Sequence, residues 1–159
     1  MVHDTRSGAR LGFTNAAADE VVLDDLELTG TLPAWLTGSL LRTGPARWDL
    51  GGQTVEHWFD GLAQLHRFTF AGGRVGYGSR FLRSRAFEHA ERTGRLGFRE
   101  FATDPCRSAF KRIVSLFDPD VTDNGAVNVT RLGERYLALT ETPLPVAFDP
   151  RTLEAHGVV

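Results

Sequence analysis

The chain has 159 residues, 42% of them apolar and 24% charged, which suits one soluble globular domain with a core of its own. A net charge of −2, with no Lys/Arg block of five or more, removes the electrostatic case for nucleic acid. The single cysteine, Cys106, excludes an internal disulfide, and no apolar run approaches the ~18 residues a bilayer span needs.

Residues 1–20 are small and polar, lack the apolar region of a secretory signal, and read as a flexible lead-in to a domain over 21–159. A cytoplasmic location follows as the expectation. In VVLDDLELTGTLPAWLTGSLLRTGP, Gly30, Pro33, Gly38 and Gly44 recur too often for a helix. Short strands are predicted at 21–28 and 39–43, with a turn of helix at Pro33–Leu36. Gly51-Gly52 then turns between two short extended pieces that end in EHWFDG. LHRFTFAGGRVGYGSRFLRS is the clearest hairpin: Phe68 and Phe70 alternate with Thr69, Ala71-Gly72-Gly73 makes the turn, and Val75, Tyr77 and Phe81 share a parity. The charged stretch 84–100 suits either a helical turn or a second extended pair. Phe110, Ile113, Val114 and Phe117 stand at i, i+3, i+4 and i+7 and predict a short helix near 107–117. Residues 122–159 read as three or four strands, with turns at Leu132–Arg135 and Asp149–Thr152. Short antiparallel strands with Gly/Pro/Asp punctuation mean an all-β sandwich, barrel or propeller, and periodicity does not choose among them.

His57, Asp60 and His66 in HWFDGLAQLHRF invite a metal or acid–base reading. In an extended segment His57 shares a face with Phe59, Asp60-Gly61 breaks the strand, and His66 lies beyond the break. A structural His57 and a turn-capping Asp60 are favoured over ligation. The five histidines (3, 57, 66, 89 and 156) are scattered and fit no HExxH pattern. Cys106 has no evident activating base and reads as an ordinary loop residue. Glu141, in RYLALTETP, shares parity with Leu137 and Leu139. It is either a solvated strand end or a carboxylate that fixes a buried histidine, and spacing alone favours the former.

Seven stretches in order resemble the carotenoid cleavage oxygenase family, in the branch of the β-carotene oxygenases and the retinal pigment epithelial membrane protein. They are GTLPAWLTGSLLRTGP (30–45), HWFDGLAQLHRF (57–68), SRFLRS (79–84), FATDPCRSAFKR (101–112), TDNGAVNV (122–129), RYLALTETP (135–143) and FDPRTLEAHG (148–157). RTGP for the commoner RNGP, and Gly125 where Ala is more usual, are mild departures. The resemblance implies a seven-bladed β-propeller with Fe(II) on its axis, held by four histidines that acidic neighbours orient. It implies dioxygen-dependent cleavage of a conjugated double bond in a carotenoid or apocarotenoid, and a peripheral membrane surface from which the substrate is drawn.

Residue by residue, Glu141 matches the glutamate that accepts a hydrogen bond from an iron-bound histidine. Phe59 matches an aromatic beside the substrate tunnel. Cys106, Phe110, Ile113, Val114 and Phe117 lie in the segment that touches membrane. The family's first iron histidine lies beyond the position of Val159, so no metal ligand and no bound iron are expected in this chain. At ~40–45 residues per blade a propeller needs ~300 residues or more. The chain is therefore expected to form the first two or three blades, to need the remainder of the propeller, and to be poorly stable and inactive alone. The alternative is a non-catalytic all-β binding module or a degenerate propeller remnant.

Overall fold

The computed structural model describes residues 12–17, 20–103 and 121–159. Its strands form two four-stranded antiparallel sheets, the unit from which β-propellers are built. The first sheet contains β1 (Glu20–Leu23), β2 (Gly38–Arg47), β3 (Leu62–Ala71) and β4 (Arg74–Phe81), in the order β1-β4-β3-β2. Its middle is the predicted hairpin. Phe68 pairs with Tyr77 and Phe70 with Val75, and the two turn residues, Gly72 and Gly73, have φ of 57° and 77°. Positive φ at both central positions matches the right-handed twist of the flanking strands, and glycine takes it without steric cost. After β4 comes a helix, α1 (Arg85–Thr93). The second sheet is a simple meander of β5 (Asn128–Leu132), β6 (Arg135–Leu139), β7 (Val146–Phe148) and β8 (Ala155–Val158).

The strand bounds depart from the sequence reading in two places. The strand predicted over 21–28 is regular only to Leu23, although Leu26 still donates to the Val75 carbonyl at 2.7 Å. The strand predicted over 39–43 runs on to Arg47, through Gly44 and Pro45. Proline is tolerated there because β2 is an edge strand and its pairing shifts register between Pro45 and Arg47. Of the two options for 84–100, the helix is the one that forms. The Ser84 hydroxyl caps it by accepting from Phe87 N at 3.1 Å, and Gly94 closes it in the left-handed region at φ 67°. The turns at Leu132–Arg135 and Asp149–Thr152 both form. In the second, the Asp149 carboxylate accepts from Arg151 N at 2.7 Å and Thr152 N at 2.9 Å, and these bonds lower its pKa. The predicted helix near 107–117 lies outside the described residues.

β3 divides the core because successive side chains leave opposite faces of a strand. Leu62 packs with Trp48, Phe81 and Phe87 under α1. Ala63 and Leu65 pack with Ala138, Val146 and Phe148 of the second sheet. Full burial of a Leu or Phe stabilises by about 1.5–3 kcal/mol, and Leu62, Leu65, Phe81 and Phe87 are all essentially sealed from solvent. The second cluster therefore fastens the two sheets together. It also fixes where the loops at one end of both sheets meet.

Candidate functional site

Those loops meet in a buried polar knot. Residues 58–60 form a single 3-10 turn, not the extended segment expected from HWFDG. The Asp-Gly pair and the capping His57 favour a tight turn over a strand: His57 Nδ1 accepts from Phe59 N at 3.3 Å. The turn's cap is thus His57, and Asp60 is freed for another partner. Asp60 is completely buried and reaches across to the 102–103 backbone. It accepts from Thr103 N at 2.7 Å, Thr103 Oγ1 at 2.6 Å and Ala102 N at 3.2 Å.

TDNG supplies the other half of the knot. Asp123 accepts from the backbone N–H groups of Arg85 and Ala86, both at 2.9 Å, at the first turn of α1. Free N–H groups at a helix start favour a carboxylate there. Asn124 bonds Gly61 O and Ala63 N. Beside them lies Glu100, only 7% exposed. Burial pushes its carboxyl up to about 8; the charges of Asp60 and Asp123 add to the push, and hydrogen bonds from Thr122 and Asn124 oppose it. Glu100 Oε1 is buried with no hydrogen-bond partner.

Above the knot opens a cleft of about 210 Å³ lined by Arg99, Glu100, Phe101, Thr122, Thr140 and Glu141 among others. Arg99 bridges Val121 in parallel, and Thr122 N donates to the Arg99 carbonyl at 3.3 Å, so two chain segments run side by side along the cleft. The third wall begins where β6 ends. There Glu141 is exposed, and its Oε2 accepts from Thr140 Oγ1 at 3.0 Å. Thr142 Oγ1 donates to the Thr122 carbonyl at 2.6 Å and pins this bend to the knot. Glu141 thus sits at a solvent-accessible strand end, with its carboxylate on the cleft wall.

Phe59 stands close by. Its ring meets Phe101 edge-on, with centroids 6.2 Å apart, and the His57 ring packs against both, 4.8 Å from Phe101 and 5.5 Å from Phe59. Phe101 is 61% exposed and also lines the cleft. It therefore joins two residues the sequence reading named separately, Phe59 and Glu141. The histidines of HWFDGLAQLHRF do not converge. His66 lies on β3 and pairs with Tyr77 Oη at 2.8 Å, and its pKa is lowered by burial and by the charge of Arg42. Among the described residues no cluster of three or more His, Cys, Asp or Glu could hold a metal ion. No helix among them is long and apolar enough to cross a membrane. Cys106, Phe110, Ile113, Val114 and Phe117 lie outside the described residues.

Sequence reasoning passed over Glu100 and saw Asp123 and Asn124 only as part of a resemblance. The one available signal was an Asp-Asn pair flanked by Thr122 and Gly125 in a stretch without apolar periodicity.

Residues 14–159 match the family described as retinal pigment epithelial membrane protein. The β,β-carotene 15,15'-dioxygenase of Rattus norvegicus is 41% identical over 134 residues, which are 80% of this chain and 24% of that protein. The carotenoid isomerooxygenase of Galleria mellonella is 39% identical over 146 residues, 87% of this chain and 28% of that one. Among solved structures, a variant of the Synechocystis apocarotenoid oxygenase superposes with a TM-score of 0.80 at 28% identity, covering 93% of this chain and 30% of its own. The chain spans about a quarter of the length of the curated relatives it matches.

Proposed function

The chain belongs to the retinal pigment epithelial membrane protein family of carotenoid oxygenases, and on that premise we propose that the protein containing it cleaves a conjugated double bond of a carotenoid or apocarotenoid with dioxygen, giving two carbonyl products. The observation that carries this reading is the 41% identity to a β-carotene dioxygenase over four-fifths of the chain. The fold supports it as well: two four-stranded antiparallel sheets fit the first blades of a propeller.

The family's chemistry calls for an Fe(II) centre to activate dioxygen. The described residues of this chain do not fit that ion, since no set of three potential ligands converges among them. On the family resemblance alone, we assign the iron-holding residues to another part of the complete protein. What this chain contributes is a carboxylate and an apolar wall. In this proposal Glu141, just past the end of β6, accepts an N–H from an imidazole supplied by another blade. That bond would hold the ring in one tautomer and orientation. Phe101 and Phe59 give the adjoining surface an aromatic lining on which a polyene can lie. The substrate is too apolar to travel through water, so delivery from a membrane surface is part of the proposal.

The test is expression of the complete protein in carotenoid-accumulating cells. Loss of colour with appearance of aldehyde products is the expected result, and a Glu141→Gln variant should bleach about 10–100-fold more slowly. Persistent colour with no aldehyde would refute the cleavage reading.

A further inference from the structure

We propose that Thr142 is a positioning residue for Glu141, its hydroxyl hitching a loosely held bend to the buried knot. This rests on the role given to Glu141 above. β6 ends at Leu139 and β7 begins at Val146, so Glu141 stands on a connection outside both strand ladders. Pro143 and Pro145 have no N–H to offer there. Among the described residues, one hydrogen bond ties 140–144 to another segment: Thr142 Oγ1 donates to the Thr122 carbonyl at 2.6 Å. Pro143 also biases the backbone of Thr142 toward the extended region. The bend is therefore stiff in itself, and this hydroxyl decides where the stiff piece sits.

The far end of that bond is firmly held. Thr122 is buried, its N–H donates to the Arg99 carbonyl at 3.3 Å, and its Oγ1 accepts from Asn124 N at 3.0 Å. The next two residues are fixed as well, Asp123 on the first turn of α1 and Asn124 on Gly61 and Ala63. At the near end, Glu141 Oε2 accepts from Thr140 Oγ1 at 3.0 Å. The carboxylate is thus tied to its own bend and goes where the bend goes. Thr142 acts only through Glu141: without its hydroxyl the bend shifts, and the carboxylate drifts from the imidazole it is to meet. A misplacement of about 1 Å can cost on the order of 10²-fold in rate.

The experiment uses four variants of the complete protein: Thr142→Val, Thr142→Ser, Glu141→Ala and the double variant Thr142→Val/Glu141→Ala. Aldehyde release from an apocarotenal in detergent micelles is followed. Thr142→Val should lower kcat roughly tenfold with little change in KM. Thr142→Ser keeps the hydroxyl and should recover most of that loss. In the double variant the valine should slow catalysis no further than Glu141→Ala does alone, because a carboxylate that has been removed cannot be misplaced. Apart from activity, crystal structures of the complete wild type and Thr142→Val should differ by about 1 Å or more at the Glu141 carboxylate, with 122–124 unmoved. Should Thr142→Val fold poorly, Thr142→Ala takes its place as the variant without a hydroxyl. An unmoved carboxylate, or the same valine loss with and without the Glu141 side chain, overturns the inference. If Glu141→Ala is impaired while Thr142→Val matches wild type, only the Thr142 inference fails. If Glu141→Ala behaves as wild type, the reading of Glu141 fails and takes this inference with it.

Discussion

The side-chain amide of Asn124 completes the backbone of Ala63. Its Oδ1 accepts the Ala63 N–H at 2.8 Å, and its Nδ2 donates to the Gly61 carbonyl at 2.9 Å. One side chain thus does for the start of β3 what a neighbouring strand does for its middle. All the groups involved are buried, so water cannot replace the amide. Asn124→Ala strands a donor and an acceptor together, each at about 1–3 kcal/mol. A loss of roughly 2–6 kcal/mol in denaturant unfolding of the complete protein is expected. Asn124→Asp should be as damaging, because a second acceptor would then face the Gly61 carbonyl. A midpoint within error of wild type for both variants would show that this bridge does not hold the loop.

Asp60 makes a complementary demand. Its carboxylate takes three hydrogen bonds from Ala102 and Thr103. All three donors reach Oδ2, and Ala102 N also lies 3.3 Å from Oδ1, so an Asp60→Asn amide that keeps its oxygen on Thr103 turns its N–H group toward the Ala102 N–H. The expected cost is about 1–3 kcal/mol. Thr103→Val removes the 2.6 Å hydroxyl bond to Asp60 and also the 2.8 Å bond that the hydroxyl accepts from Glu56 N, so it should cost a comparable amount. Because the two side chains share that bond, the double variant should be less destabilised than the two single losses added together. Strict additivity in a double-mutant cycle would contradict the contact.

What the sequence made legible follows from what has a period. The β3–β4 hairpin was readable because Phe68, Thr69 and Phe70 alternate and two glycines follow; the β5–β6 turn at Gly133 was readable for the same reason. The helix α1 was legible only as an option: its buried face is Ala86, Phe87 and Ala90, too small a stripe to stand out from the charges around it. The polar knot has no period at all. Asp60 lies 42 or 43 residues from the groups it binds, and Asn124 lies 61 or 63 from its own. A turn-capping Asp60 was the local reading, and a long-range partner displaced it. Glu141 and Phe59 entered through resemblance. The contact between Phe101 and both of their surroundings became visible only in three dimensions.

Gly125, noted as a departure where alanine is more usual, has a physical account. A Cβ at this position would stand 2.8 Å from Ala138 Cβ and 2.9 Å from the Ala138 carbonyl carbon. Ala138 is fully buried in β6, and the Gly125 carbonyl is held by Thr43 Oγ1 at 2.7 Å, so neither side can give way freely. Gly125→Ala is expected to destabilise by about 1–3 kcal/mol through overpacking. Adding Ala138→Gly removes the methyl contact but not the backbone one. Thermal unfolding of the pair should therefore show partial recovery, and a neutral Gly125→Ala would mean that β6 shifts more easily than its burial implies.

Glu100 also predicts how stability depends on pH. Its folded pKa, about 8, lies above the ordinary value of 4.5, chiefly because the charged form is buried. Between those two values the folded protein keeps a proton that the unfolded chain releases. Unfolding is therefore favoured as pH rises. The contribution of the neutral carboxyl is fully present below about pH 4.5 and is lost progressively as pH climbs through about 8. At 1.36 kcal/mol per pKa unit the whole effect is at most roughly 5 kcal/mol. Glu100→Gln has the same shape and no proton to lose. Its unfolding midpoint should converge with that of wild type near pH 5 and rise above it at pH 8 and beyond. Parallel curves for the two proteins across that window would show that the Glu100 carboxyl titrates alike in the folded and unfolded states, and that its burial carries no electrostatic penalty.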